Sequence, residues 1–180
     1  MVFKALNLRK HCFQETDNIF VDTCVWYLVH GPYTQPSDRT RYYSSALRTA
    51  IAARCHLYTD TTVISEFANR YAKSEYSIWA QNRTGTTFKD YREQSNYLND
   101  AKAISDSIRR ILKHATLIST QLSQDDLLDI VTEFETNRRD INDLFIAELC
   151  ERNGLILLTD DADYKGMDIS VLTSNNRLLN

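Results

Sequence analysis

Leu155-Ile156-Leu157-Leu158 is apolar without a break, lying between Gly154 and Thr159-Asp160-Asp161. On an extended backbone successive side chains point to opposite faces, so this strand must be covered on both sides. That is the environment of a central strand in a parallel sheet wrapped by helices. A second run, Asn18-Ile19-Phe20-Val21, has the same character and ends in Asp22. His56-Leu57-Tyr58-Thr59, Thr116-Leu117-Ile118 and Val171-Leu172 supply further strands from their β-branched and aromatic content. Helical patterns fill the intervals: Cys24 to Val29 with Thr23 as cap, Ser37 to Arg54, Val63 towards Gln81 and most of Phe88 to Lys113. One more begins at Ser123, and another, capped by Asp140 or Asn142, stops at Gly154. Strand and helix alternate, which predicts an α/β fold with a parallel sheet. The segment before Asn18 carries no assigned element.

A chain of 180 residues is expected to form a single domain over 1–180. Only 4 Gly and 2 Pro argue against an all-β sandwich, which needs many turns. No apolar run approaches the ~20 residues of a membrane span. The first residues lack the apolar core of a secretory signal. Cys12, Cys24, Cys55 and Cys150 have no zinc-knuckle or redox spacing, and a reduced, cytoplasmic protein is expected. The net charge of −3 is unevenly spread: residues 67–115 carry 9 basic and 5 acidic groups, residues 116–180 carry 5 and 13. Such a chain could hold cations at one place and phosphates at another.

Ligands of open parallel sheets bind beyond the carboxyl ends of the strands. Asp22 ends one strand. Glu66 lies early in the helix after another. Asp143 opens the helix that leads to Leu155–Leu158, and Asp161 and Asp163 come just after that strand. Four distant segments thus bring carboxylates to one edge. Like charges repel, and divalent cations remove that penalty. Carboxylate oxygens suit Mg²⁺ or Mn²⁺, and two such ions ~3.5–4 Å apart can activate water and stabilise the leaving oxygen of a phosphodiester. The four histidines, His11, His30, His56 and His114, lack ligand spacing and read as packing or surface residues.

In this order, Ile19-Phe20-Val21-Asp22-Thr23, Val63-Ile64-Ser65-Glu66-Phe67, Asp140-Ile141-Asn142-Asp143-Leu144 and Thr159-Asp160-Asp161-Ala162-Asp163 resemble the motifs of PIN-domain proteins of the kind found in VapC-type toxins. The resemblance implies an α/β/α sandwich around a central parallel sheet. It also implies Mg²⁺- or Mn²⁺-dependent endoribonuclease activity, with 5′-phosphate and 3′-hydroxyl products. It places the catalytic and metal-binding acids at Asp22, Glu66, Asp143 and Asp161, adds Asp163 as a further metal-binding acid, and gives Thr159 a part in orienting the acids or a coordinated water. For partners it implies RNA as substrate, a cognate antitoxin and a homodimer.

Residues 67–122 form a longer helical insertion than compact toxins of this type carry. Its aromatics Tyr71, Tyr76, Trp79 and Tyr91 stand among Arg83, Lys89 and Arg92, which are candidates for holding RNA unless the rings are core. Other readings are a non-catalytic RNA- or protein-binding module, an RNA-processing nuclease that is not a toxin and a flap-type DNA nuclease. A response-regulator-like pocket would need a lysine after a late strand, for which Lys165 is a poor candidate.

Overall fold

The computed structural model describes residues 3–32, 36–119 and 121–180. Its strands are β1 (Lys4–Asn7), β2 (Asn18–Val21), β3 (His56–Thr59), β4 (Thr116–Leu117), β5 (Ile156–Leu158) and β6 (Ser170–Thr173). They form one six-stranded sheet in the order β1-β6-β5-β2-β3-β4, with every neighbouring pair parallel. The helices are α1 (Thr23–His30), α2 (Asp38–Ala52), α3 (Thr61–Ala80), α4 (Phe88–Arg92), α5 (Tyr97–His114), α6 (Gln124–Thr136), α7 (Ile141–Arg152) and α8 (Asn176–Leu179). This is the α/β architecture that the apolar runs predict.

The two most apolar runs take the middle of the sheet. Ile19, Phe20 and Val21 of β2 and Leu157 and Leu158 of β5 are 0% exposed, covered on both faces. Their register pairs Val21 with Leu158, and the Asp22 amide donates to the Leu158 carbonyl at 3.1 Å. The chain therefore leaves both strands side by side. From this pair the connections diverge, β2 running on to β3 and β5 to β6. A crevice opens where they part, which is the topological switch point of an open parallel sheet.

Local chemistry sets the helix ends. Asp60 accepts from the Val63 amide at 2.7 Å to start α3, and Asp140 accepts from the Asn142 amide at 2.8 Å to start α7. Ser123 and Asp126 form a capping box on α6. Gly154, at φ 61°, takes the left-handed turn that ends α7.

Three details depart from the sequence reading. The N-terminal segment supplies a strand, because Lys4 to Asn7 pairs in register with Ser170 to Thr173 at the sheet edge. Asp22, not Thr23, occupies the N-cap position of α1. The helix expected from Phe88 to Lys113 is broken at residues 93–96 into α4 and α5. Across residues 67–122 the rings pack on one another. Tyr76, Trp79, Phe88, Tyr91 and Tyr97 form a chain of contacts with centroids 5.3 to 6.1 Å apart, and the buried Tyr91 donates to Asp100 Oδ2 at 2.7 Å. These aromatics are a satellite core. Arg83 lies over Trp79 and Arg92 over Phe88, so both guanidinium groups are engaged within this segment. Lys89 is exposed on α4.

Candidate functional site

Asp22 sits where an N-cap sits, yet its side chain makes no capping bond. Its Oδ2 instead accepts from Thr159 Oγ1 at 2.5 Å and from Cys24 Sγ at 3.1 Å. At 6% exposure the carboxyl is pushed up by burial, pulled back by these two donors and pushed up again by Asp161. The fully buried Thr159 hydroxyl in turn accepts from the Asp161 amide at 3.0 Å. One hydroxyl thus ties the acid after β2 to the acid after β5.

Glu66 arrives from the second turn of α3, half-buried, with Thr23 Oγ1 donating to its Oε2 at 3.1 Å. Burial raises its pKa, the Thr23 bond lowers it, and Asp22 raises it. Asp143 comes from the first turn of α7 and is pushed up to about 7. Burial is the main cause, and Asp22, Asp161 and Asp140 add to it. Tyr164 leans towards Asp143 and favours its charged form without reaching hydrogen-bonding geometry, so its buried hydroxyl lacks a full partner. Asp161 is exposed, with Oδ1 accepting from the Asp163 amide at 3.1 Å. Asp163 is exposed on the wall of the adjoining cleft.

Asp22, Glu66, Asp143 and Asp161 therefore come from four separate segments and act on one another at the switch point. Asp140, read from sequence only as a cap, joins them electrostatically. Among the described residues no three acidic, histidine or cysteine side chains already converge on one point at ligating distance. The donor set still fits a hard divalent cation. It is all carboxylate oxygen, part of it is held towards the protonated form by burial and then by its acidic neighbours, and a buried hydroxyl stands beside it with no full partner.

Asp160 is engaged elsewhere. It is buried, paired with Arg39, and its Oδ1 lies 2.8 Å from the Tyr43 hydroxyl. That hydroxyl also lies 2.9 Å from the Thr159 carbonyl and accepts from the Ser174 amide at 3.1 Å. Tyr43 so holds the ends of β5 and β6 together. Neither Tyr43 nor the arginines beside the acids were found from sequence. Arg9, Arg39, Arg70 and Arg177 line a cleft of about 720 Å³ that also reaches Asp161 and Asp163. Only Arg70 leaves a sequence signal, one helical turn after Glu66 on the same face.

The PIN domain family model matches residues 19–170, most of the chain. The chain belongs to the PIN domain family. A PIN domain is a nuclease-type fold, and PIN nucleases generally use divalent metal ions. A solved structure described as "Crystal Structure of PAE2754 from Pyrobaculum aerophilum" is similar with a TM-score of 0.53 over 92% of this chain and 94% of that one. At 12% identity that likeness concerns the fold alone. No curated protein matches. All the acids of the PIN crevice lie inside the matched residues, whereas Arg9 and Arg177 lie outside them. Among the described residues no helix is long and apolar enough to cross a membrane.

Proposed function

We propose that this PIN domain is a Mg²⁺- or Mn²⁺-dependent endoribonuclease whose catalytic acids are Asp22, Glu66, Asp143 and Asp161. The observation that carries the reading is the gathering of four acids from separate segments at the switch point, where Thr159 ties Asp22 to the Asp161 turn and Thr23 holds Glu66. A fold tolerates that arrangement when a cation resolves it. A divalent ion held there would supply Lewis-acid stabilisation of charge on the scissile phosphate and the departing oxygen.

The chain's own residues prepare the site. Thr159 and Cys24 fix Asp22, and Thr159 fixes the start of the Asp161 turn in the same contact. Thr23 orients Glu66. Asp163 is the additional acid at the rim. Hydrolysis breaks the bond from phosphorus to the 3′ oxygen, leaving a 5′-phosphate and a 3′-hydroxyl.

At a finer level the enzyme acts in the cytoplasm as the toxin of a toxin–antitoxin pair, a homodimer held in check by its antitoxin. Growth arrest on expression, absent for Asp22→Asn, tests that part; harmless expression of active enzyme points to RNA processing instead. The central test is cleavage of labelled single-stranded RNA with Mg²⁺, Mn²⁺ or EDTA by wild type and Asp22→Asn. Metal-dependent cutting lost in the variant supports the proposal. A folded, metal-saturated wild type that binds RNA without cutting it returns the reading to a binding module.

A further inference from the structure

We propose that the cleft walled by Arg9, Arg39 and Arg177 binds the backbone phosphates of single-stranded RNA beside the scissile bond. The proposal rests on the nuclease reading above and names how its substrate is held.

The cleft is lined by Asp161 and Asp163 and by Arg9, Arg39, Arg70 and Arg177, and its two other acids are already matched, Asp160 by Arg39 and Asp38 by Arg41. Arg9 comes just after β1, with its guanidinium 4.5 Å from the Tyr42 ring centroid and its Nη2 3.5 Å from the Ser174 carbonyl. Arg39, near the start of α2, is anchored by the buried Asp160. Arg177 is carried by α8, which packs on β1. Asn176 adds an exposed amide group, while the Asn175 side chain is engaged with the Asp160 carbonyl and the Arg177 amide. Two of these guanidinium groups are thus held in place before any ligand arrives, which lowers the ordering cost of binding.

The shape and chemistry favour phosphate over base. Guanidinium groups of Arg9 and Arg41 lie over the Tyr42 ring, so the aromatic surface in the cleft is already covered. What remains on the arginine side is guanidinium charge and the Asn176 amide, which position a backbone and read no sequence. A volume of about 720 Å³ lies within the ~300–1,000 Å³ of pockets that enclose small ligands, which suits a single strand. Arg70 borders both this cleft and a groove along α3 lined by Glu66, Asn69 and Lys73. A strand laid from Arg177 past Asp161 to Arg70 would keep cations on both flanks of the carboxylates.

Arg9 and Arg177 are joined here only because β1 adds to β6 and α8 packs on β1. Arg9 and Arg177 lie outside the residues that match the family model, and Arg39 lies inside them.

The test is fluorescence anisotropy of labelled oligo(U) and oligo(A) RNA in EDTA across a range of NaCl concentrations. It uses wild type, Arg9→Ala, Arg177→Ala, the double variant and, as a control, Arg109→Ala. Each cleft variant should weaken binding about fivefold, equally for both sequences. The double variant should reduce the slope of log affinity against log salt by about 1.4, at ~0.7 per lost phosphate contact on a single strand. Arg109, exposed on α5 and paired with Asp106, lines no part of the cleft, and Arg109→Ala should match wild type. Arg177 is exposed, so its variant separates phosphate binding from any packing lost with Arg9. Unchanged affinity and slope in the double variant overturn the proposal, and cleavage by that variant would then leave the nuclease reading intact. Arginine-dependent binding by a wild type that never cleaves would keep the cleft and remove the nuclease. Absence of both binding and cleavage removes both.

Discussion

Replacing Asp143 with Asn keeps the shape of the side chain and deletes its charge, so it measures what burying that charge beside other acids costs the protein without metal. Asp143 is held at about 7 against an ordinary 3.8. Between those values the folded state holds a proton that the unfolded state has lost. Stability therefore falls as pH rises through this window, and the cost is constant above it. Three units at ~1.36 kcal/mol each set a ceiling of about 4 kcal/mol. Asp143 is only half-buried, and solvent screening reduces this to about 1–2 kcal/mol. In a chain of this size each kcal/mol moves the melting temperature by ~2–4 °C. Thermal unfolding in EDTA should thus show Asp143→Asn melting about 2–8 °C above wild type at pH 8, with a clearly smaller gain at pH 5. An equal change at both pH values, or a loss at pH 8, would refute the reasoning, because the ionised carboxyl would then carry no penalty from burial or from its acidic neighbours.

Adding Mg²⁺ at about ten times its dissociation constant should raise the melting temperature of wild type at pH 8 by about 3–6 °C, and Asp22→Asn should lose that response in the same calorimetric scan. Tyr43→Phe removes a buried hydroxyl with partners on β5 and β6 and should cost about 1–3 kcal/mol in urea unfolding, with a matching fall in RNA cleavage as the Thr159 carbonyl loosens. Arg54 stands at φ 58°, a left-handed conformation that glycine adopts freely, and Arg54→Gly should raise the urea midpoint by up to about 1 kcal/mol of stability.

The acids of the crevice were legible because each belongs to a pattern with few alternatives. An unbroken apolar run needs cover on both faces, so the residue after it emerges at a sheet edge, and both Asp22 and Thr159 do. Choosing Asp161 over Asp160 came from the resemblance, and the physical ground appears only in space, where Asp160 is buried against Arg39 and Tyr43. Strand β1 was not legible, since Lys4-Ala5-Leu6-Asn7 shows no β-branched residue and becomes a strand only by pairing with β6. The break between α4 and α5 falls at Glu93-Gln94-Ser95-Asn96, which contains neither Gly nor Pro. The cleft arginines escaped notice for a related reason: Arg9 and Arg177 stand at opposite ends of the chain, and local pattern carries no sign of their meeting.

The edge pairing of β1 also bears on how the molecule assembles. Leu6 can find its place only when Leu172 exists beside it, and Asn7 only beside Thr173. Contacts between such distant parts of a chain close slowly, because the loop between them must be ordered first. A chain emerging from its N-terminus would order β2 against β3 early, across a short interval, and complete the β1–β6 edge last. The acids at the β2–β5 junction would then be in place before Arg9 and Arg177 face them, so the grip on the backbone matures after the centre it serves.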